Sequence, residues 1–170
     1  HLDISLQSVQ RRRQDRDLHD RVPFYFAPRT PMSSLLRNRN HELCLLVVNV
    51  HNLCRGAEEI SFTDGNAASG TTRCYVEAAE LEDRLPLDAI RAQFWTDTAI
   101  VDGKRKRSAE FLVAPAVSAT AIKHIVVPSQ EGIPAVASAI ECAWSTHPYG
   151  LGGWPPRYFV DPESFFDEPF

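Results

Sequence analysis

The chain has 170 residues, 44% of them apolar, and a formal net charge of -4 at pH 7. This length is sufficient for one domain with its own hydrophobic core, and the composition is that of an ordinary globular protein. No run of 18 apolar residues and no signal peptide occur, which excludes a membrane-spanning helix and predicts a cytoplasmic protein with reduced cysteines. We therefore expect a single domain over residues 1–170, without membrane contact.

Positive charge is concentrated near the N-terminus. Residues 1–55 contain nine Lys or Arg against five Asp or Glu, and six of the nine are arginines between Arg11 and Arg29. A local basic face can bind phosphate groups although the net charge is negative. The only methionine is Met32, so His1 is not a natural start and we expect an N-terminal segment to be missing.

Local patterns in the first third of the chain predict two helices and two strands. Apolar spacing predicts a helix from residue 5 to about 16, and residues 32–39 fit a second, short helix. Residues 22–27 predict a strand, in which Pro23 indicates its start or an edge position. Residues 42–50 contain Cys-Leu-Leu-Val-Val, and their length and β-branched content favour a central strand.

Strands and helices continue to interleave through the rest of the chain. The Asp-Gly-Asn sequence at 64–66 predicts a turn, since Gly and Asn tolerate positive φ, and residues 71–76 fit either a strand or a helical turn. The other predicted elements are strands at 58–63, 109–113, 125–127 and 157–160, helices at 87–95, 119–124 and 130–144, and a Gly- and Pro-rich loop at 146–156. Because the helices are short and irregularly placed, the predicted fold class is α+β.

Several common site motifs do not occur in the sequence. There is no GxGxxG after a strand, no GxxxxGK[ST], no G-x-S-x-G and no HExxH, which argues against the nucleotide, hydrolase and zinc sites that those motifs build. Cys44, His51 and Cys54 lie close in sequence, so a zinc site is conceivable. Cys44 falls in an apolar run and fits better as a small core residue, and we expect no metal.

The most informative stretch covers residues 104–113, Lys-Arg-Lys-Arg-Ser-Ala-Glu-Phe-Leu-Val. Its four cations are expected to be exposed, because charged side chains are almost never fully buried unless paired. The Phe-Leu-Val run is expected to be buried, which places Glu110 at the border between a basic surface and the core. A carboxylate there suits chemistry on a phosphate-bearing substrate. The alternative is an exposed basic turn before a strand whose first residue happens to be acidic.

This stretch is the last of four segments that together carry a resemblance. The others are Val-Gln-Arg-Arg-Arg at 9–13, Val-Pro-Phe-Tyr-Phe-Ala-Pro-Arg-Thr-Pro-Met at 22–32 and Phe-Thr-Asp-Gly-Asn-Ala-Ala at 62–68. In this order they resemble the DarT family of DNA ADP-ribosyltransferase toxins, over most of residues 3–127. The Phe-Tyr-Phe-Ala-Pro-Arg-Thr-Pro-Met and Ala-Glu-Phe-Leu-Val runs are its most specific parts.

The resemblance implies an ADP-ribosyltransferase fold, with two packed, mainly antiparallel sheets flanked by short helices around an NAD cleft. It implies a toxin that transfers ADP-ribose from NAD+ to a base in single-stranded DNA and releases nicotinamide. Thymidine is the common acceptor in the family and the one we expect, whereas one branch uses guanosine. The implied partners are single-stranded DNA and a macrodomain antitoxin, DarG. NAD+ is the implied substrate, and no metal is implied.

The resemblance also implies roles for individual residues. The family's catalytic glutamate corresponds to Glu110, and its essential arginine corresponds to the pair Arg12 and Arg13. Arg13 is favoured, because the family pattern ends on it, and it would contact NAD+ as well. Tyr25 corresponds to a residue that lines the NAD site. The family begins with a His-containing strand, and we assign no histidine to it because His1 does not fall in that motif.

Other residues are expected to contact the DNA strand. By resemblance, Arg29 and Met32 face the strand and the target base, and Asn66 lies near the acceptor. The four cations of the basic run would follow the strand's phosphates, which makes binding salt-dependent. They are Lys104, Arg105, Lys106 and Arg107.

The chemistry of the reaction agrees with these assignments. Breaking the nicotinamide–ribose bond creates an oxocarbenium-like ribose, which a rigidly held carboxylate at Glu110 would stabilise. Arg13 suits a contact to a phosphate or to the base but not the role of general base, because the pKa of arginine lies above about 12. Two alternatives stay open: a catalytically silent nucleic-acid-binding module on the same fold, and a transferase that acts on protein or RNA.

Overall fold

A computed structural model of the chain describes residues 7–15, 17–55, 57–145 and 156–166. The backbone divides into two compact units, one formed by His1–Pro31 with Ala57–Val117 and the other by Met32–Gly56 with Ser118–Phe170. Each unit contains one β-sheet. That the whole chain forms a single transferase domain stays a prediction from the sequence.

The described residues contain short strands and mostly short helices joined by irregular segments, which confirms the predicted α+β class. The strands are β1 Val22–Tyr25, β2 Leu45–Val48, β3 Glu59–Thr63, β4 Cys74–Tyr75, β5 Glu110–Ala114, β6 Ile122–Val127 and β7 Arg157–Val160. The helices are α1 Gln7–Asp15, α2 Pro31–Leu35, α3 Val50–Arg55, α4 Leu81–Arg84, α5 Leu87–Arg91, α6 Gly103–Lys106 and α7 Gly132–Ser145. No helix in these ranges combines the length and the apolar character that a bilayer span requires.

The first unit contains a four-stranded sheet in the order β1-β5-β3-β4, with every pair antiparallel. β5 lies between two neighbours, and its Phe-Leu-Val run is buried. Tyr25 lies opposite Glu110 in the register, and Phe24 and Phe62 lie opposite Phe111. Because side chains alternate along a strand, Tyr25 and Glu110 share one face of the sheet and the three phenylalanines share the other.

A small apolar cluster covers part of the sheet face that carries Glu110. It consists of Leu18, Ala67 and Leu112, all buried. The Leu18 N–H also donates to the carbonyl of Arg13 at 2.9 Å, which ends α1. Burial of a leucine side chain contributes about 1.5–3 kcal/mol, so this cluster holds the end of α1 and the loop after β3 against β5.

The second unit contains a three-stranded sheet in the order β2-β6-β7, antiparallel between β2 and β6 and parallel between β6 and β7. The prediction of a central strand at 42–50 is wrong, because β2 covers only four residues and lies at the edge. β6 takes the central position, since it carries the buried run at 125–127. In the first unit, the edge position predicted from Pro23 is confirmed for β1.

Several element boundaries differ from the prediction. Residues 119–121 form a 3-10 turn, and β6 already begins at Ile122, where a helix to residue 124 was predicted. The helix predicted at 87–95 ends at Arg91. α3 and α4 were not predicted, because helices of six and four residues are too short to show a periodic apolar pattern. The predicted helix start at residue 5 and most of the predicted loop, 146–155, lie outside the described residues.

Candidate active site

Glu110 is the first residue of β5, and its side chain is buried, with 1% exposure. Its N–H donates to the Thr63 hydroxyl at 2.9 Å, and that hydroxyl donates to the carbonyl of Gly65 at 2.7 Å. The backbone at Glu110 is therefore fixed by the sheet and by the turn that follows β3. The predicted border position is corrected, because the residue lies in the core rather than at its rim.

Two donors hold the buried carboxylate of Glu110. Oε1 accepts the backbone N–H of Ala67 at 2.9 Å, and Oε2 accepts Nη1 of Arg13 at 3.3 Å. Burial raises the pKa of Glu110 above its ordinary value, while the Ala67 N–H and the Arg13 charge act in the opposite direction. The site thus contains a desolvated carboxylate with a defined orientation, as electrostatic catalysis requires.

The structure separates the two arginines that the sequence left as a pair. Arg13 packs against Glu110 with a side-chain exposure of 16%, whereas Arg12 is exposed. Both residues lie on α1, where successive side chains point about 100° apart, so only one of them can face the sheet. The contact with Glu110 favours Arg13, as predicted from the motif.

Tyr25 lies beside Glu110 on the neighbouring strand, with 37% of the residue exposed. Burial of its hydroxyl, and then the negative charge of Glu110, raise the pKa of Tyr25 to about 12, although the Arg13 charge acts to lower it. The hydroxyl therefore stays protonated at neutral pH. It can act as a hydrogen-bond donor next to the carboxylate, and the ring is open to a ligand.

The turn at residues 64–68 delivers the backbone donor to Glu110. Oδ1 of Asn66 accepts the N–H of Ala68 at 3.0 Å, and the N–H of Asn66 donates to the carbonyl of Arg105 at 3.1 Å. Ala67 between them is buried. The sequence indicated this turn but not the role of Ala67, because a backbone N–H has no side-chain signature.

Arg105 is paired rather than exposed. Its side chain is 15% exposed and contacts two carboxylates, Asp64 at 2.9 Å and Asp102 at 2.5 Å. Nη1 also lies 3.1 Å from the hydroxyl of Thr72. The prediction that this cation is solvated is wrong, because two acids from separate segments neutralise it.

Arg107 is buried, with 7% exposure, so the prediction that this cation is exposed is wrong. Its Nε donates to the carbonyl of Arg29 at 2.8 Å. Its Nη1 contacts the carbonyls at the end of α5, Ala89 at 3.2 Å, Ala92 at 2.8 Å and Ile90. Five fixed donors allow a guanidinium to satisfy several carbonyls at once, which makes its burial tolerable.

The remaining predicted DNA contacts differ in exposure. Lys104 is exposed, and Lys106 is partly buried. Arg29 is partly buried in the bend after β1, where its carbonyl is held by Arg107. Met32 is 42% exposed on α2 and belongs to the second compact unit. Of the cations in the basic run, Lys104 therefore offers the most accessible positive charge.

A cleft of about 450 Å³ lies along β3 on the same face of the sheet as Glu110. Thr63 and Ala67 line the end near the carboxylate, and Ser61 lines the wall. At its rim Arg21 is paired with Glu59 at 2.6 Å. The cleft therefore presents hydroxyl groups and an ion pair next to the loop that holds Glu110.

Known proteins resemble this chain in sequence and in structure. A DNA ADP-ribosyl transferase of Thermus sp. (strain 2.9) is 32% identical over 120 residues, which is 66% of this chain and 56% of the relative. The structure of Thermus sp. 2.9 DarT in complex with ADP-ribosylated ssDNA matches with a TM-score of 0.78 and 25% identity, over 98% of this chain and 82% of that one. Its complex with NAD+ matches with a TM-score of 0.71 and 27% identity, over 88% and 74%.

A second solved relative is Thermosipho africanus DarTG in complex with ADP-ribose, with a TM-score of 0.63 and 25% identity, over 86% of this chain and 36% of that one. The chain spans about half the length of the curated relatives it matches, 56% and 44% of the two Thermus proteins. These likenesses confirm the predicted ADP-ribosyltransferase fold. A family model described as ssDNA thymidine ADP-ribosyltransferase, DarT, matches residues 2–166, and the chain therefore belongs to the DarT family.

Proposed function

We propose that this chain is an NAD+-dependent toxin that transfers ADP-ribose to a base in single-stranded DNA. Thymidine is the expected acceptor. The observation that carries the proposal is the buried Glu110 carboxylate, held by Arg13 and the Ala67 N–H, in a member of the DarT family. Relatives solved with NAD+ and with ADP-ribosylated ssDNA support both substrates. Guanosine is the alternative acceptor.

The proposed reaction breaks the bond between the ribose C1′ and the nicotinamide nitrogen. The electron pair of this bond leaves with nicotinamide. Positive charge develops on the ribose, and the Glu110 carboxylate stabilises this charge and accepts a hydrogen bond from a ribose hydroxyl. The base nitrogen then bonds to C1′, and in the case of thymine the N3 proton passes to solvent water. Arg13 is not the acceptor of that proton, because a guanidinium has only N–H donors, and it polarises the base or binds a phosphate. Tyr25 would line the NAD+ site beside Glu110.

The DNA strand is proposed to approach the exposed part of the basic run. Lys104 and Lys106 contact its phosphates, which makes binding salt-dependent. Arg29, Met32 and Asn66 remain the proposed contacts for the strand and the target base. Arg107 has no such role in the proposal, because its guanidinium is buried against backbone carbonyls.

A macrodomain antitoxin of the DarG type is proposed as the protein partner, and the cytoplasm as the location. The DarTG relative of known structure supports a toxin–antitoxin pairing.

The proposal is tested by incubating the chain with NAD+ and single-stranded oligonucleotides that differ in base content. Mass spectrometry should find one added ADP-ribose on thymidine-containing strands and none when NAD+ is omitted. An adduct confined to guanosine-containing strands would select the alternative acceptor. Salt-sensitive strand binding without any adduct would reject the enzyme and favour a silent binding module on the same fold. An adduct on RNA or protein alone would reject DNA as the substrate.

Transfer is expected to fall as the pH falls through the pKa of Glu110, because only the ionised carboxylate can stabilise the positive ribose. Burial raises this pKa, so the loss should begin above the pKa of an exposed glutamate, which is about 4.3. Arg13 from α1, Tyr25 from β1 and the Ala67 N–H face the carboxylate. Single-turnover rates across the acid range measure this limb.

The Arg13→Gln variant provides the comparison for this profile. Arg13 lowers the pKa of Glu110, so its removal should move the acid limb to higher pH in addition to slowing the reaction. Full activity below about pH 4 in the unmodified chain would show that transfer does not need the ionised carboxylate.

A further inference from the structure

In the loop between β3 and β4, residues 64–72 are contacted near both ends by the Arg105 side chain, which comes from a distant segment. Arg105 contacts Asp64 at the start of this loop and Thr72 at its end. Its backbone carbonyl also accepts the N–H of Asn66 at 3.1 Å. Between these contacts lies Ala67, whose N–H bonds to Glu110.

We propose that Arg105 is a positioning residue of the transfer reaction, which holds the loop 64–72 so that the Ala67 N–H meets the carboxylate of Glu110. This inference rests on the proposed function. It gives a supporting role in that reaction to a residue that does not touch the reacting groups. It replaces the phosphate contact that the sequence predicted for Arg105.

Charge and exposure argue against a phosphate contact at Arg105. Asp64 and Asp102 flank its guanidinium at 2.9 and 2.5 Å, so its positive charge is already neutralised within the protein. Binding to a strand gains affinity where a cation replaces the counterions of a phosphate. Lys104, one residue earlier and exposed, is free of these two pairings and fits that role.

Gly65 shows how closely the Arg105 side chain lies on the loop. A Cβ added at Gly65 would lie 2.3 Å from Nη1 and 2.8 Å from Cγ of Arg105. The guanidinium thus lies directly over the backbone of Gly65, and a Cβ there would require the Arg105 side chain to shift. A Gly65→Ala substitution would displace Arg105 while leaving every charge of the protein in place.

Loss of the Arg105 contacts with the loop has two expected consequences for Glu110. The carboxylate loses a fixed donor, and a misplacement of about 1 Å at a reacting group can cost on the order of 10²-fold in rate. The Ala67 N–H also lowers the pKa of Glu110, so its loss should move the acid limb of transfer to higher pH. A phosphate contact at Arg105 would change strand affinity and its salt dependence instead.

The test compares three variants, Arg105→Gln, Gly65→Ala and Lys104→Gln, in transfer rate against pH and in strand affinity against salt. The first two should lose on the order of 10²-fold in rate and should shift the acid limb upward, with the salt slope of binding unchanged. Lys104→Gln should reduce the salt slope by about one and leave the acid limb in place. Backbone amide exchange should be faster at Ala67 in the first two variants alone.

The outcomes separate this inference from the proposed function. An Arg105→Gln variant that behaves like Lys104→Gln, with unchanged exchange at Ala67, would overturn the positioning role. Normal transfer by Gly65→Ala together with faster amide exchange at Ala67 would overturn it as well, because the reaction would then not need the loop to be held. If the unmodified chain forms no adduct, the proposed function fails, and the exchange rate of the Ala67 amide still decides whether Arg105 holds the loop.

Discussion

Replacing Glu110 with glutamine is expected to lower the rate of ADP-ribose transfer roughly 10²- to 10³-fold, the usual effect of removing one preorganised electrostatic group. Glutamine has nearly the same shape, and its carbonyl can still accept the Ala67 N–H. It cannot stabilise a positive ribose, because it carries no charge. Single-turnover transfer with saturating NAD+ and oligonucleotide measures the chemical step directly.

The same substitution is expected to leave the stability at pH 7 unchanged or higher. Burial raises the pKa of Glu110 in the folded state, so folding favours its protonated form. The stability that this group contributes is present below its unfolded pKa and is lost as the pH rises through the folded pKa. At neutral pH the ionised side chain therefore lowers the stability of the folded state. In thermal unfolding, the stability of the unmodified chain relative to Glu110→Gln should rise as the pH falls.

An exposed glutamate provides the control for this experiment. Glu82 lies on α4 with its side chain in solvent, so Glu82→Gln removes one negative charge without touching the site. It should transfer at the rate of the unmodified chain. A Glu110→Gln variant that stays within a few-fold of Glu82→Gln would exclude Glu110 as the catalytic carboxylate.

Replacing Arg107 with methionine is expected to lower the free energy of unfolding by about 3 kcal/mol or more. The substitution keeps the apolar stem but removes the guanidinium donors that bond the carbonyls of Arg29, Ala89 and Ala92. A buried carbonyl left without a donor costs about 1–3 kcal/mol. The segment before Glu110 would also lose its anchor to α5, so some loss of transfer should accompany the lower stability.

Urea unfolding of Arg107→Met and Lys104→Met compares a buried arginine with an exposed lysine three residues earlier in the same run. Lys104→Met should change the unfolding free energy by no more than about 0.5 kcal/mol, as surface substitutions do. Equal stabilities for the two variants would mean that Arg107 is solvated in solution, as the sequence predicted. A change in DNA affinity for Lys104→Met alone would agree with the proposed strand contact.

Local sequence patterns predicted much of the fold and part of the site. Alternation and composition located the strands that carry Tyr25 and Glu110, and Pro23 indicated the edge of the sheet. The Ala-Glu-Phe-Leu-Val and Phe-Tyr-Phe-Ala-Pro-Arg-Thr-Pro-Met runs identified the family, which the family model confirms. The role proposed for Glu110 rests on the same runs. These features are carried by neighbouring residues, so they can be recognised without a tertiary structure.

The tertiary structure alone decided which charged groups are available for chemistry. Arg105 pairs with Asp64, 41 residues away, and Arg107 donates to the carbonyl of Arg29, 78 residues away. Four adjacent cations look equivalent in the sequence, because a local pattern contains no information about partners on other segments. The donor to Glu110 from the Ala67 backbone was invisible for a related reason, since every residue except proline carries an N–H and only the folded loop selects one.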